Sequence, residues 1–451
     1  MVVVTFTPYE NTILSGTITI TNNSSSTNTF SVTGVGTSEG GTAVSGVISS
    51  TTTWSYSNSP YIVTDDILLN EGITLTIEPG VTIKMLSDKE FQVKGTLIAQ
   101  GTSDSKITFT SNESSPSAGD WSQLKFFDES TDASFSGTSY SSGSILEYCI
   151  VEYAEYGLYL YQSSPFVHYS EIRYNSQRGI IVSGTHTYLW VNNCDIHHND
   201  QGVYVYGSGQ TKTLFSYNTI RDNSPEGGGY AGSSTFSYNT IKDNEYLESN
   251  SNRASGIKIS GTRFDHNLIS GNTNNYSSGT SGMFLYSGSS NGVTDNIIFD
   301  NTGTYSVYLY SYAGNGTFTD NIIADGTVYF DNFSLKDAFT NNVFGGGIKG
   351  ELKFDDEDAD FSKNAILNGS GDFSIQHEGY SDQTVYFSKN LFSGNTSGSY
   401  LRHGTGNNGQ TNLSTTLNNM INNDGFYIKA GYGENSSVEN NWWGTTTESE
   451  I

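Results

Sequence analysis

A short pattern returns along most of this 451-residue chain, and its period restricts the folds open to it. Aligned on one apolar residue per unit, it reads Ile150, Ile172, Ile196, Ile220, Ile241, Ile269, Ile298, Ile323, Phe344, Ile366, Phe392, Ile421 and Trp442. The 12 intervals cover 292 residues, a mean near 24. That is one coil of a β-solenoid; propeller blades and helical-pair repeats are longer. Two residues before the apolar position stands Asn in ten consecutive units: Asn218, Asn239, Asn267, Asn296, Asn321, Asn342, Asn364, Asn390, Asn419 and Asn440. Five before it stands Ile145, Val167, Val191, Phe215, Phe236, Phe264 and their successors. Three after it comes a second series: Asn175, Asn199, Asn223, Asn244, Asn272, Asn301 and Asn395.

The residue types suit such a coil. Asn tolerates left-handed backbone angles, so it is expected to turn the chain at each corner. Amides stacked one coil apart, about 4.8 Å, can hydrogen-bond to each other. The apolar positions stack into a thin interior, which accounts for a hydrophobic fraction of only 34%. The fold expected is all-β: a single-stranded parallel solenoid of about 24 residues per coil.

Charge and composition exclude other classes. Twenty Lys+Arg against 46 Asp+Glu give a net charge of −26, which disfavours a nucleic-acid partner. No apolar run is long enough for a membrane span. Aromatic residues at 13% argue against disorder. Two cysteines make no disulfide scaffold. Cys149 and Cys194 fall two coils apart, about 9.6 Å by strand spacing, too far for a relaxed bridge, so two free thiols are expected. No basic leader with a cleavage site follows Met1. The texture is that of an extracellular or surface protein, and the chain is expected to be a fragment of it, ending before a C-terminal cap.

Before the repeat, Val2–Phe6, Gly16–Thr21 and Thr29–Thr33 alternate as half-buried strands. Residues 2–37, with "FTP", "SGTITIT" and "VTGVGT", resemble the last strands of an immunoglobulin-like domain of the ASPM/SPD-2/Hydin type, which implies a partial β-sandwich at 1–37. Residues 38–60 are Ser/Thr/Gly-rich and read as a linker. The solenoid is placed at 61–451. Its motifs "NTIRDN", "NTIKDN", "NLISGN" and "NLFSGN" resemble the right-handed parallel β-helix, or pectin-lyase-like, superfamily, most closely its carbohydrate-binding and sugar-hydrolase repeats. "TLTIEPGVTIKM", "VKGTLIAQGTSDSKITFTS" and "ENNWWG" (Glu439 to Gly444) resemble the ends of bacterial secreted members. The resemblance is specific for fold and says little about activity.

Three constellations carry candidate chemistry. One residue after the apolar position, successive coils bear Arg173, His197, Arg221 and Lys242. Such a column suits the carboxylates or sulfates of an acidic polysaccharide, and a neutral His or Lys there is a candidate base for β-elimination. Ion pairs with neighbouring Asp along a solvated face are the competing reading. A second column, in the strand after each Gly, holds Tyr159, Tyr204, Phe284, Tyr308, Tyr329 and Tyr427, with Tyr161, Tyr206, Tyr286 and Tyr310 two residues later. If it faces outward it offers a flat aromatic surface for sugar rings; the competing reading is plain sheet stabilisation by stacked Tyr. Third, Asp355, Asp356 and Asp358 in an acidic run are candidate Ca²⁺ ligands, without EF-hand spacing.

The sequence therefore carries two functional expectations, neither requiring a cofactor. One is a secreted or surface-anchored module binding a polysaccharide or cell-surface glycan, or acting as an adhesive or structural segment, monomeric within a larger multidomain chain. The other is a polysaccharide lyase using the Arg173–Lys242 column.

Overall fold

The computed structural model describes residues 13–21, 27–35, 40–185, 188–206, 213–247, 253–287, 292–312, 317–335, 338–354 and 359–368, and then 373–377, 384–395, 399–403, 412–416, 418–421, 427–430 and 435–437. It is a parallel β-solenoid. Each coil lays down three strands, as in Thr213–Ser216, Thr219–Arg221 and Gly227–Gly232. Each pairs in parallel with its equivalent one coil on, so that Phe215 faces Phe236 and Ile220 faces Ile241. We call these the first, middle and long-strand rows. The first row has sixteen described strands, from Thr52–Trp54 to Asn435–Ser437. No helix among the described residues is long and apolar enough to cross a membrane.

The interior is the stack the repeat predicts. Ile196, Ile220, Ile241 and Ile269 are fully buried on one side, and Phe215, Phe236 and Phe264 on another. A buried Asn ladder closes each of two corners. In the first, the amide of Asn239 donates to Asn267 Oδ1 (3.0 Å) and to the Phe215 carbonyl (3.0 Å), while Asn239 Oδ1 accepts from the Asn218 backbone (3.0 Å). Ahead of Asn218 the same slot holds Cys194, whose N–H donates to Asn218 Oδ1 (2.9 Å), then Ser170, then Cys149. Both thiols are buried and free, with Ser170 between them. Burial pushes the Cys194 thiol up to about 12 and Cys149 higher still. Labelling with a thiol reagent at pH 8 is expected to give no reaction in the folded chain and two equivalents on unfolding.

The corner works differently from the expectation. The left-handed residue is the one before each Asn, not the Asn itself: Tyr217, Tyr238 and His266 at the first corner, and Tyr174, His198 and Asp222 at the second, have φ between 52° and 59°. Such a conformation costs about 1 kcal/mol in a non-glycine residue. The Asn that follows offsets it, because the turn aims its amide inward at four hydrogen-bond partners.

The frame also slips by one residue at each end of the repeat. Ile172 faces Val151, which is buried, whereas Ile150 lies outside. Phe392 faces Met420 rather than Ile421, and the ladder passes from Asn390 to Asn418 rather than Asn419. In a strand a one-residue shift exchanges the faces. Ile150–Val151 and Met420–Ile421 are apolar at both positions, so alternation alone cannot choose. Asn440 and Trp442 lie outside the described residues.

Within the expected linker, residues 42–48 and 52–54 belong to the solenoid. Thr42–Ile48 lies parallel on Tyr61–Leu69, and Thr52–Trp54 on Thr74–Ile77. Trp54 is buried and stacks on Tyr61 at 4.6 Å between centroids. Ser and Thr fill the outward positions there, and Thr favours strands as well as loops. Upstream, Ile13–Thr21 and Thr27–Val35 form an antiparallel hairpin. These contain two of the three strands expected there; Val2–Phe6 lies outside the described residues. One hairpin is not a sandwich, and nothing described supports the immunoglobulin-like assignment.

Candidate functional site

The middle row brings Arg173, His197, Arg221 and Lys242 into one outer column, each facing the next. It does not leave them as a cationic cleft. Arg173 Nε lies 2.7 Å from Glu152, and its Nη1 binds Glu171. His197 Nε2 lies 3.0 Å from Glu171. Arg221 is held by Asp195 at 2.8 Å and Asp222 at 2.6 Å, and Lys242 by Asp243 at 3.2 Å. The carboxylates come from the same column one coil earlier, Glu152, from the adjacent outer column, Glu171 and Asp195, and from the corner residues Asp222 and Asp243. His197 is itself buried, and its Nδ1 sits 2.7 Å from His198 Nδ1. Both ring nitrogens are engaged, so none is open to take a substrate proton.

Glu171 is the hub of this network. The hydrogen bond from His197, then the charges of Arg173 and Lys106, hold its carboxyl at about 2. Its stabilising effect is present above the ordinary value of 4.5 and is lost as pH falls toward 2. The full shift corresponds to roughly 3 kcal/mol; solvent contact reduces this to about 1 kcal/mol. Glu171→Gln is expected to lower stability by about that amount at pH 7 and to flatten the loss between pH 4.5 and 2. Urea titrations at pH 7, 4 and 2.5 check this, and an unchanged acid slope would refute it.

The long-strand row presents the other candidate surface. Tyr159 and Tyr161 alternate with buried Leu158 and Leu160, Tyr204 and Tyr206 with Val203 and Val205, and Tyr308 and Tyr310 with Val307 and Leu309. Both aromatic series therefore turn outward, and neither is a core rung. Read by strand pairing, the first column runs Lys125, Tyr159, Ile181, Tyr204, Tyr230, Lys258, Phe284, Tyr308, Tyr329, Lys349. Cations lie over rings of both columns: Lys125 is 4.9 Å from the Tyr159 centroid, Arg178 is 4.0 Å from Tyr204, and Lys258 is 5.1 Å from Phe284 and 4.0 Å from Tyr286 of the second column. The Tyr308 hydroxyl donates to Asp331 Oδ2 at 2.5 Å, and burial together with that carboxylate pushes its pKa up.

Two members of the predicted column are misplaced. Phe284 is 1% exposed beneath Lys258 and the Tyr286 and Tyr308 rings, so it supports the face and does not meet a ligand. Tyr427 continues Glu351, Ser374 and Tyr400. Glu351 stands two residues past Lys349, which puts Tyr427 in the second column. Its side chain lies outside the described residues, as do Asp355, Asp356 and Asp358. Among the described residues no group of three or more His, Cys, Asp or Glu is arranged to hold a metal ion.

Lys125, Tyr230 and Lys258 were missed as members of this face, and Arg178 beside them. A signal for Tyr230 and Lys258 was present. Gly157, Gly179, Gly202, Gly228, Gly256 and Gly282 each stand two residues before the column. They are glycine for packing reasons. A Cβ at Gly202 would fall 2.7 Å from the Gly228 carbonyl oxygen, 2.7 Å from Ile220 Cγ2 and 2.9 Å from Asn223 Nδ2. Counting two onward from each gives Tyr159, Ile181, Tyr204, Tyr230, Lys258 and Phe284.

The model of the right-handed β-helix region matches residues 11–235 and 138–274, more than half of the chain. The chain belongs to the right-handed β-helix family. Among curated proteins, this β-helix is similar to Protein bark beetle of Drosophila melanogaster, at 47% identity over 55 residues, 12% of the chain and 2% of that protein's length. Among solved structures it is similar to the Agl-KA catalytic domain (14% identity, TM-score 0.23, 88% of this chain and 62% of that one). It is also similar to tailspike protein 3 of bacteriophage CBA120 (11%, 0.23, 83% and 56%). The β-helix spans less than two thirds of each, and neither overlay supports a residue correspondence.

Proposed function

We propose that this β-helix is a carbohydrate-binding module that holds an extended polysaccharide along the outer face of its long-strand row. One observation carries the reading. Tyr159, Tyr204, Tyr230, Tyr308 and Tyr329 stand in a single outward column with Lys125 and Arg178 over the rings. Sugar rings stack their C–H faces on such aromatics, and the phenol hydroxyls serve as polar partners for sugar hydroxyls. An extracellular or cell-surface setting and an adhesive role go with this reading, and no metal ion is needed for it. The lyase reading has less support, because the Arg173–Lys242 column is matched by carboxylates and His197 has no open nitrogen.

The test is a glycan array with the whole chain, followed by titration of the best ligand into Tyr159→Ala and Tyr204→Ala. Each variant is expected to lose about tenfold in affinity, roughly 1.4 kcal/mol, with unchanged thermal unfolding. No unsaturated product should appear with uronate polymers. An array without binding would overturn the reading in favour of a structural spacer.

A further inference from the structure

The outer side of the middle row changes character along the solenoid. Over the coils of Arg173 to Lys242 it carries the paired charges described above. From Leu268 onward its first outer column turns apolar. Leu268, Ile297, Ile322, Val343, Ala365 and Leu391 face one another in parallel register, one coil apart. Ile297 and Ile322 are 43% and 42% exposed, and the rest of the column is partly buried. Phe299, Ala324 and Leu367 hold outward positions two residues on. From Ile297 to Leu391 this apolar strip covers about 24 Å of the axis.

The first corner, along one side of the strip, carries an ordered set of charges. Its left-handed residues are, coil by coil, Asp295, Asp320, Asn341, Lys363 and Lys389, all exposed. Each of the first four donates its backbone N–H to the first row one coil on, as Asp320 does to Thr340 (3.0 Å) and Lys363 to Ser388 (2.9 Å). The order is two acids, a neutral residue and two bases, so the set inverted end for end is its own complement. Among the described residues no ion pair holds Asp320, Lys363 or Lys389, and Asp295 lies 3.8 Å from His266.

The opposite side of the strip decides which way two such faces can meet. There the first two coils carry Asp300 and Asp325, and the last two carry Asn368 and Gly394. Copies packed face to face and parallel would set Asp295 against Asp300 and Asp320 against Asp325, acid on acid. Packed antiparallel, about a two-fold axis that runs along the strands through Val343, they set Asp295 against Lys389 and Asp320 against Lys363. Val343 then meets its own copy, and Ile322 meets the small Ala365, which suits interdigitation across two packed sheets.

We propose that this face is the contact for a second copy of the chain, in an antiparallel two-fold dimer centred on Val343. The exposed apolar strip supplies the burial, and the corner charges supply direction and register. This differs from the monomer expected from the sequence. It does not depend on the glycan-binding reading, because the long-strand row lies on another face.

Sedimentation velocity of the whole chain tests the dimer at about 0.15 M salt, where repulsion from the net charge of −26 is screened beyond about 8 Å. Five coils a side make a small interface, so a monomer–dimer equilibrium is expected between about 5 and about 500 μM. Lys363→Glu with Lys389→Glu, and separately Asp295→Lys with Asp320→Lys, should each weaken self-association at least about tenfold. Lysine already occupies this left-handed corner at 363 and 389, so the exchange suits the backbone. Mixed in equal amounts, the two double variants should pair with each other about as tightly as the unaltered chain pairs with itself, a rescue that misfolding cannot produce. The two native thiols are buried, so a bismaleimide spanning about 10 Å reports only on an added cysteine. Val343→Cys should give a cross-linked dimer, and Ile297→Cys, about 19 Å along the axis from its copy, should not. A monomer at every concentration would overturn the proposal. So would tighter self-association of the Asp→Lys variant, which parallel packing predicts, or cross-linking at 297 without cross-linking at 343.

Discussion

Replacing Asn223 by alanine is expected to cost this β-helix about 4 kcal/mol. Asn223 is fully buried at the second corner. Its Oδ1 accepts from the Asn199 backbone N–H (3.0 Å) and the Asn199 amide (3.1 Å), and its Nδ2 donates to the Ile196 carbonyl (3.1 Å) and Asn244 Oδ1 (2.9 Å). Alanine leaves the Asn199 N–H and the Ile196 carbonyl buried without this partner, each at a cost of about 1–3 kcal/mol. It also removes what offsets the left-handed conformation at Asp222. Each coil contacts only its neighbours, so the damage should centre on the coils at Asn199 and Asn244. Urea unfolding measures the loss, and amide exchange at 199 and 244 locates it. Asn275→Ala, at an exposed position, is the reference and should change stability by less than about 0.5 kcal/mol. A loss below about 1 kcal/mol at Asn223 would mean that the corners are held by the strands and not by the amide ladder.

Phe339→Ala should have a comparable effect through packing. Phe339 is buried in the middle of a stack, with ring centroids at 5.1 Å from Phe318 and 5.2 Å from Phe361, nearly parallel to both. Phe344 and Phe330 close on it at 5.7 Å and 5.8 Å. Truncation opens a cavity between rings whose strands are fixed by the parallel ladder, so collapse is limited and the expected cost is about 3–5 kcal/mol. Phe339→Leu keeps most of the volume and should cost less than about 1.5 kcal/mol. Thermal unfolding of the two variants gives the comparison. Equal losses would show that volume is not the determining quantity.

The two predictions draw on features of different visibility. The Asn and Phe columns follow from local rules that act within one coil and are copied in the next, so spacing alone reveals them. The corner residues did not, because the sequence marks the ladder Asn and gives no sign that the Tyr, His or Asp before it takes the strained angles. The frame slips at Ile150 and Ile421 had the same origin in pattern: two adjacent apolar residues satisfy either face. The solenoid's start was hidden because Thr42–Ile48 and Thr52–Trp54 carry Ser and Thr outward, as a linker would.

For the candidate sites, the sequence by itself determined which residues share a column. Strand pairing repeats once per coil, and a residue's place in the coil is its place on the surface. That brought Arg173, His197, Arg221 and Lys242 together, and Tyr159 with Tyr204, Tyr308 and Tyr329. Only the tertiary structure decided what the columns present. The pairs Arg221–Asp222 and Lys242–Asp243 lie within one repeat and were legible as neighbours, but Glu152, Glu171 and Asp195 also reach Arg173, His197 and Arg221 across coils, and those distances no single repeat encodes. Phe284 is covered for the same reason: side chains from the coils on either side set its exposure. Column membership is a property of the chain's period. Charge pairing and exposure are properties of contacts across it.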